Sequence, residues 1–253
     1  MSDQDRHWSK AAASYEKEFI DPYLLDIRNP IKQYLRRHRD ARRKVVADLG
    51  CGIGPLLPLL SQSYRKVYAV DFASAMLERA RQAATGCANV EYIQTTLTEL
   101  RLPEPVDVAV AVNSLVMPDV RDIDRSLEQI RAALKTDGRF VGVVPAMDAV
   151  HYYTMLLVDR ALSAGKPPAA AHKNAAHLAD HADFDFAFGR FAFDGLEQHF
   201  WQPFEVRYRF ARAGLRLRRL RKLHLSWKQF AGAADLKRHK VPWDWLFLAS
   251  RAP

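Results

Sequence analysis

Short apolar runs alternate along the chain with segments whose apolar residues return every three or four positions. Lys44–Asp48, 67–71 and Val106–Val112 are almost continuous in Val, Ala and Leu, as in strands buried on both faces, and Tyr92–Gln94 adds a shorter one. Residues 122–134 put Ile123, Leu127, Ile130 and Leu134 on one helical face. Glu205–Ala213 reads as a helix ended by Gly214, followed by strands near 215–225 and at 243–249. The first 35 residues predict a helical cap over 8–35, broken near Asp21-Pro22 and Asn29-Pro30. Strands and helices in this order require a mostly parallel sheet covered on both faces.

The run Val45-Val46-Ala47-Asp48-Leu49-Gly50-Cys51-Gly52-Ile53-Gly54 joins the first strand to a glycine turn and then to a helix. Glycines at alternate positions remove the Cβ atoms that would keep a ligand off the backbone. A dinucleotide fingerprint would need glycine at 55, where Pro55 stands. Pro55 suits the first position of the following helix, whereas Pro58 makes that helix start loosely or late.

The spacing Asp48-x-Gly50-x-Gly52-x-Gly54 resembles the first motif of the class I S-adenosylmethionine-dependent methyltransferases. The resemblance continues in order over about residues 8–145. Val67 to Asp71 is followed by Phe72-Ala73-Ser74-Ala75-Met76-Leu77, a strand ending in an acid before a Met-Leu helix start. Asp107 stands at the entrance of the fourth strand, and Leu134-Lys135-Thr136-Asp137-Gly138-Arg139-Phe140-Val141 resembles the family's helix, glycine turn and fifth strand. The resemblance implies an α/β, three-layer Rossmann-like methyltransferase fold. Its seven-stranded sheet is mostly parallel with an antiparallel last strand, and it carries an N-terminal helical cap and an insertion before the last two strands. Residues 1–253 then form a single methyltransferase domain: cap 1–43, cofactor core 44–145, acceptor-pocket insertion 146–200, final helix and strands 201–253.

The implied cofactor is S-adenosyl-L-methionine, leaving as S-adenosyl-L-homocysteine. The N–H groups following Gly50, Gly52 and Gly54, with Cys51 in the same turn, suit the methionine carboxylate, and Asp48 suits its ammonium. Asp71 suits the ribose diol, because a carboxylate accepts from two adjacent hydroxyls. Phe72 and Met76 would flank the adenine. Where the family places a further acid after the third strand, this chain has Thr95-Thr96-Leu97, so Thr96 and Leu97 take that position; Asn113 follows the fourth strand. Trp8 to Tyr15 resembles the W-x-x-x-A-x-x-Y helix folded over the cofactor. Tyr15 either faces the sulfonium, attracted through its ring quadrupole, or packs with Trp8 on the sheet.

In the insertion, Phe184, Phe186 and Phe188 alternate up to Gly189-Arg190, and Phe191 and Phe193 alternate after it. With Gly189-Arg190 as a two-residue loop, Phe188 opposes Phe191 and Phe186 opposes Phe193, either as an aromatic lid or as rings fastening the insertion. His151 follows the fifth strand at the sheet's ligand-binding edge, so His151 as base with Tyr152 or Tyr153 positioning the acceptor is the catalytic reading, alongside Tyr15; a surface histidine is the alternative. His199 and His224 are weaker candidates. His177 and His181 share a helical spacing, with Asp180 or Asp183 near, but nothing completes a ligand set, and no metal is expected.

Composition adds little. At 253 residues, with 49% hydrophobic and 26% charged, the chain suits one enlarged α/β domain. No signal peptide or membrane span is legible, so a cytoplasmic protein is expected, and Cys51 and Cys87 exclude a disulfide scaffold. The net charge of +9 gathers at 36–44 and 207–222, which a nucleic-acid partner would use; Leu215, Leu217, Leu220, Leu223 and Leu225 interleave the second cluster as one face of a strand. Asn113-Ser114-Leu115-Val116 is not the N-P-P-Y segment of nucleic-acid amino methyltransferases. The expected activity is methyl transfer to nitrogen or oxygen of a small organic or peptide-like acceptor, by a chain compatible with a homodimer. The alternatives are an RNA or protein methyltransferase and a non-catalytic cofactor-binding partner.

Overall fold

The computed structural model describes residues 26–36, 40–178, 182–185, 188–193, 196–230 and 233–252. A helix α1 (Ile31–Arg36) precedes β1 (Val45–Leu49), α2 (Leu57–Ser63), β2 (Lys66–Asp71), α3 (Ser74–Ala83), β3 (Val90–Gln94), β4 (Val106–Val112), α4 (Val120–Ala133) and β5 (Leu134–Pro145). After α5 (Met147–Ser163) and α6 (Pro168–Leu178) come β6 (Ala182–Asp185), β7 (Arg190–Phe193) and β8 (Leu196–His199). The chain ends on α7 (Pro203–Arg212), β9 (Leu215–His224) and β10 (Trp243–Arg251). The main sheet has seven strands in the order β3-β2-β1-β4-β5-β10-β9; β10 is antiparallel to both neighbours and the other pairings are parallel. This is the expected architecture.

Every residue of β1 is buried, because α/β layers cover the sheet on both sides. One face holds Phe140, Phe210, Phe247 and Trp201; the other holds Ile31, Leu35, Leu57, Leu60, Val67 and Leu246. Phe247 lies 4.8 Å from Phe140 and 4.9 Å from Phe210, centroid to centroid, in tilted and edge contacts that aromatic quadrupoles favour.

Three local expectations are corrected. The helix after the glycine turn starts late, at Leu57, as Pro58 led us to expect, but it is Pro58 and not Pro55 that occupies its first turn, where a missing N–H removes no helical bond. Helix α4 starts at Val120, because Asp119 accepts from the Arg121 N–H at 2.8 Å. It ends at Ala133, and the expected glycine turn lies inside β5, where the register slips between Val106 and Val108.

The insertion divides into two parts. Helix α5 turns away from the glycine edge: Leu156 and Leu157 pack with Ala175, Ala233 and Leu236, and Tyr153 meets Phe230 at 5.1 Å. The second part is a three-stranded sheet, β6-β7-β8. Phe184 pairs with Phe191 and Asp185 with Arg190, so the connection spans 186–189 instead of Gly189-Arg190 alone, and the predicted pairings are shifted. The chain rejoins the main sheet at Trp201, whose N–H donates to the Pro145 carbonyl at 2.8 Å and whose indole donates to Leu115 at 2.7 Å.

Candidate active site

The first wall of the site is the turn after β1. Gly50 has φ +70°, and a Cβ there would stand 2.3 Å from the Ser114 Cβ, so glycine lets the turns after β1 and β4 touch. Ser114 locks that contact by donating from Oγ to the Leu49 carbonyl at 2.7 Å. Gly52 differs: a Cβ on it would meet nothing within 4 Å, so the missing side chain leaves open a cleft bordered by Gly50, Gly52 and Asp71.

Asp71, at the end of β2, ties this turn to the next. Its Oδ2 accepts from the Gly52 N–H at 2.9 Å and its Oδ1 from Ala73 at 3.0 Å. Burial pushes its carboxyl up, and the bonds from Ala73 and Gly52 oppose that. The Phe72 N–H bonds it as well, so of the about four acceptor positions of an ionised carboxylate about one remains for a hydroxyl donor. Phe72 and Met76 continue this wall; Thr95, Thr96, Leu97 and Thr98 form the next. The Thr96 and Thr98 hydroxyls pair at 2.9 Å.

Opposite them stand Val112, Asn113, Ser114, Val116 and Met117, and Asp122, Glu197 and Gln198 complete the lining. Asn113 adopts φ +51°, its Nδ2 donates to Asp244 Oδ2 at 3.4 Å, and its Oδ1 is buried without a hydrogen-bond partner among the described residues. Glu197 and Gln198 arrive on β8, which is pinned by the His199 N–H donating to the Val116 carbonyl at 2.9 Å. Behind that pin His199 pairs with Glu205 at 3.0 Å, and Arg209 bridges Glu205 at 2.6 Å and Asp124 at 2.9 Å. Although burial raises the Glu205 carboxyl, the His199 and Arg209 bonds hold it below the ordinary value.

The structure therefore brings Gly50, Gly52, Asp71, Phe72, Met76, Thr96, Leu97 and Asn113 to one cleft. Asp48, Cys51 and Gly54 stand behind it. Burial, with the Asp71 charge, pushes Asp48 up to about 7, and burial also raises the Cys51 thiol. Gly54 packs against Ala80. Of the N–H groups that follow the three glycines, that of Cys51 donates to Val70 and Pro55 has none, while the N–H groups of Gly50, Gly52 and Gly54 themselves donate to Val70, Asp71 and Cys51.

The catalytic expectation is also corrected. His151 is exposed on α5 and is not on the cleft wall; Tyr152 donates to the Lys240 carbonyl at 3.0 Å and packs on Trp243 at 5.3 Å. Tyr15 with Trp8, and Phe186, His181 and Asp180, lie outside the described residues, as do the side chains of His177 and Asp183. Phe191 stacks on Phe200 at 4.3 Å and Phe188 is 77% exposed, so neither ring roofs the cleft. Among the described residues no group of three His, Cys, Asp or Glu side chains can hold a metal ion. Ser114, Met117, Asp122, Glu197 and Gln198 were not predicted. Ser114 had a legible signal, as a small residue directly after a buried strand; Glu197 and Gln198 had none, because β8 brings them from the insertion.

Comparison with known proteins agrees with this geometry. Residues 46–138 match a family model described as a methyltransferase domain. The chain is 29% identical over 137 residues to a ubiquinone biosynthesis O-methyltransferase of Neisseria meningitidis, covering 53% of this chain and 55% of that protein. It is 31% identical over 106 residues to the mitochondrial arginine-hydroxylase NDUFAF5 of Rattus norvegicus, covering 41% of this chain and 29% of that one. The matches thus span about half or less of these curated relatives. In fold the chain is similar to the DhpI complex with S-adenosylhomocysteine (TM-score 0.63, 18% identity, 99% and 96% of the chains). It is also similar to a chain of the complex between the Haloferax volcanii Trm112 methyltransferase activator and a methyltransferase (0.65, 18%, 99% and 97%).

Proposed function

Because the chain belongs to the class I, Rossmann-like S-adenosylmethionine-dependent methyltransferases, we propose that it transfers the methyl group of S-adenosylmethionine to nitrogen or oxygen of a small organic or peptide-like acceptor. The observation that carries the reading is the wall from Gly52 to Asp71. An open space over a side-chain-free turn lies beside a carboxylate at the end of β2, a group that suits a ribose hydroxyl. Phe72 and Met76 would flank the adenine, and Thr96 with Leu97 would close its far side. Asp48 stands behind the turn, where burial and the Asp71 charge favour its protonated form, and a cationic ligand bound nearby would favour the ionised one.

When bound, the cofactor supplies a methyl group already activated on a sulfonium, so the protein's share is alignment and the exclusion of water. Ser114 and Leu49 fix the spacing of the two turns, and β8 with Glu197 and Gln198 narrows the cleft. That narrowing supports a small acceptor, as does the likeness to a ubiquinone biosynthesis O-methyltransferase. A macromolecular acceptor is the second reading, favoured by the exposed Arg216, Arg218, Arg219, Arg221 and Lys222 on the edge strand β9. The likeness to a chain from the complex with the Trm112 activator adds an activator protein to that reading's partners.

The test is transfer from methyl-labelled S-adenosylmethionine into a cell extract separated into RNA, protein and small molecules. Label in the small-molecule fraction is expected. Label in RNA or protein overturns the small-acceptor reading, and absence of cofactor binding in calorimetry overturns the activity itself.

A further inference from the structure

The stretch 207–222 holds eight Lys and Arg and no Asp or Glu, within a chain whose net charge is +9. It forms most of α7 and most of β9, the outermost strand of the sheet. Folding uses three of these cations: Arg209 bridges Glu205 and Asp124, Arg218 donates from Nε to Ser250 Oγ at 3.1 Å, and the Lys222 ammonium covers the Trp243 ring, 3.3 Å from its centroid. Arg207, Arg212, Arg216, Arg219 and Arg221 are exposed and make no hydrogen bond or ion pair among the described residues.

A bulge and a helix face place these side chains. The register of β9 on β10 slips at Arg218, so that Leu217 and Leu220 both pack on the core of Phe247, whereas Leu223 packs with Leu246 on the opposite side. Lys222 shares the Trp243 side, so by alternation Arg219 and Arg221 take the other, and positive charge wraps the free edge instead of lying on one face. Helix α7, packed against β9, turns Val206 and Phe210 to the sheet and Glu205 and Arg209 to Asp124 on α4. Phe204 and Tyr208, one turn apart, are left facing solvent at 69% and 61% exposure, and neither meets another ring among the described residues.

This combination narrows the partner. Phosphate oxygens suit guanidinium forks, and unpaired bases suit open aromatic faces. A bilayer is flat and meets only one side of such a strand, whereas a flexible polyanion follows both. We propose that the edge formed by α7 and β9 is a docking surface for single-stranded nucleic acid, in which the five free arginines hold phosphates and Phe204 and Tyr208 stack bases. The surface sharpens the second reading above by naming the polymer, yet the contact rests on neither the cofactor nor methyl transfer. Strand β9 lies three strand spacings, about 14 Å, from β4, so a polymer held there leaves the cleft open to either kind of acceptor.

The experiment is fluorescence anisotropy of a dye-labelled oligouridylate, titrated over a range of salt with the wild type and with two double variants. Phosphate contacts from all the free arginines predict a log–log salt slope of about −3.5, weakening to about −2.1 in Arg219→Ala with Arg221→Ala. Phe204→Ala with Tyr208→Ala should reduce affinity about 10-fold or more and leave the slope unchanged. No binding, an unchanged slope in the arginine variant, or unchanged affinity in the ring variant overturns the surface. So does binding of phosphatidylserine vesicles but not of oligouridylate, which marks a membrane contact instead. If a variant does not fold, the wild type decides: a single strand bound about 10-fold tighter than its duplex with oligoadenylate supports the proposal, and equal binding overturns it. Calorimetry with S-adenosylhomocysteine on the same proteins should agree within about 3-fold; its absence from the wild type refutes the cofactor reading and leaves this surface standing.

Discussion

The two turns at the head of the sheet and the insertion beside them border the same cleft but are held in different ways. After β1 and β2, backbone and a single carboxylate set the geometry: Gly50 against Ser114, and Asp71 bonded to Gly52 and Ala73. The insertion's contribution depends on side chains far apart in sequence, namely the Trp201 indole on Leu115 and the chain of His199, Glu205, Arg209 and Asp124. Substitutions in the first region should therefore change fold or affinity abruptly and according to the atom affected, whereas those in the second should loosen the wall gradually.

The largest effect is expected at Gly50. Gly50→Val combines positive φ with a Cβ 2.3 Å from Ser114, at a cost of about 3–5 kcal/mol, visible as a lower urea midpoint or loss of soluble protein. Gly52→Arg, two residues on, meets no protein atom within 4 Å of its Cβ. It should fold with a penalty of about 1–2 kcal/mol for its positive φ, yet lose cofactor affinity about 100-fold or more in calorimetry. If the two variants behave alike, the distinction between a packing glycine and a clearance glycine is wrong.

In the insertion, Arg209→Met leaves Glu205 and Asp124 without their shared cation. A stability loss of about 2 kcal/mol by denaturant unfolding is expected, with cofactor affinity within about 3-fold of wild type. A large fall in affinity would show that β8 belongs to the cofactor half. The smallest effect concerns pH. Asp48 is raised in the folded state to about 7 from the ordinary 3.8, so folded protein holds that proton more tightly than unfolded chain. Stability from this group is therefore complete below about pH 4 and is lost as pH rises through about 7. Asp48→Asn should raise the Tm of ligand-free protein by a few degrees at pH 8, with the gain vanishing near pH 4; a gain independent of pH would exclude this origin.

The same contrast explains what could be read in advance. The first two strands, the glycine turn and Asp71 were legible because Val45–Gly54 carries strand, acid and turn together and Val67–Asp71 repeats strand and acid before a helix start. The division of labour among the glycines was not, since Ser114 and Ala80 reach Gly50 and Gly54 only after folding. Alternating Phe residues fit more than one hairpin register, because a period of two is satisfied by any even shift, and 186–189 supplied a longer connection than the glycine suggested. His151 and Tyr152 follow the ligand-binding end of β5, but α5 is drawn instead onto the segment between β9 and β10 by Phe230 and Leu236. Glu197 and Gln198 carry no motif at all.

The Trp201 junction has one more consequence. The main-chain N–H of Trp201 bonds Pro145 and its carbonyl accepts from Met147, so the excursion from 146 to 200 departs and returns at adjoining points of the sheet. To the sheet this whole segment is a side loop with a closed neck. A change in the length of this loop therefore need not alter the strand order of the main sheet or the turns after β1 and β2.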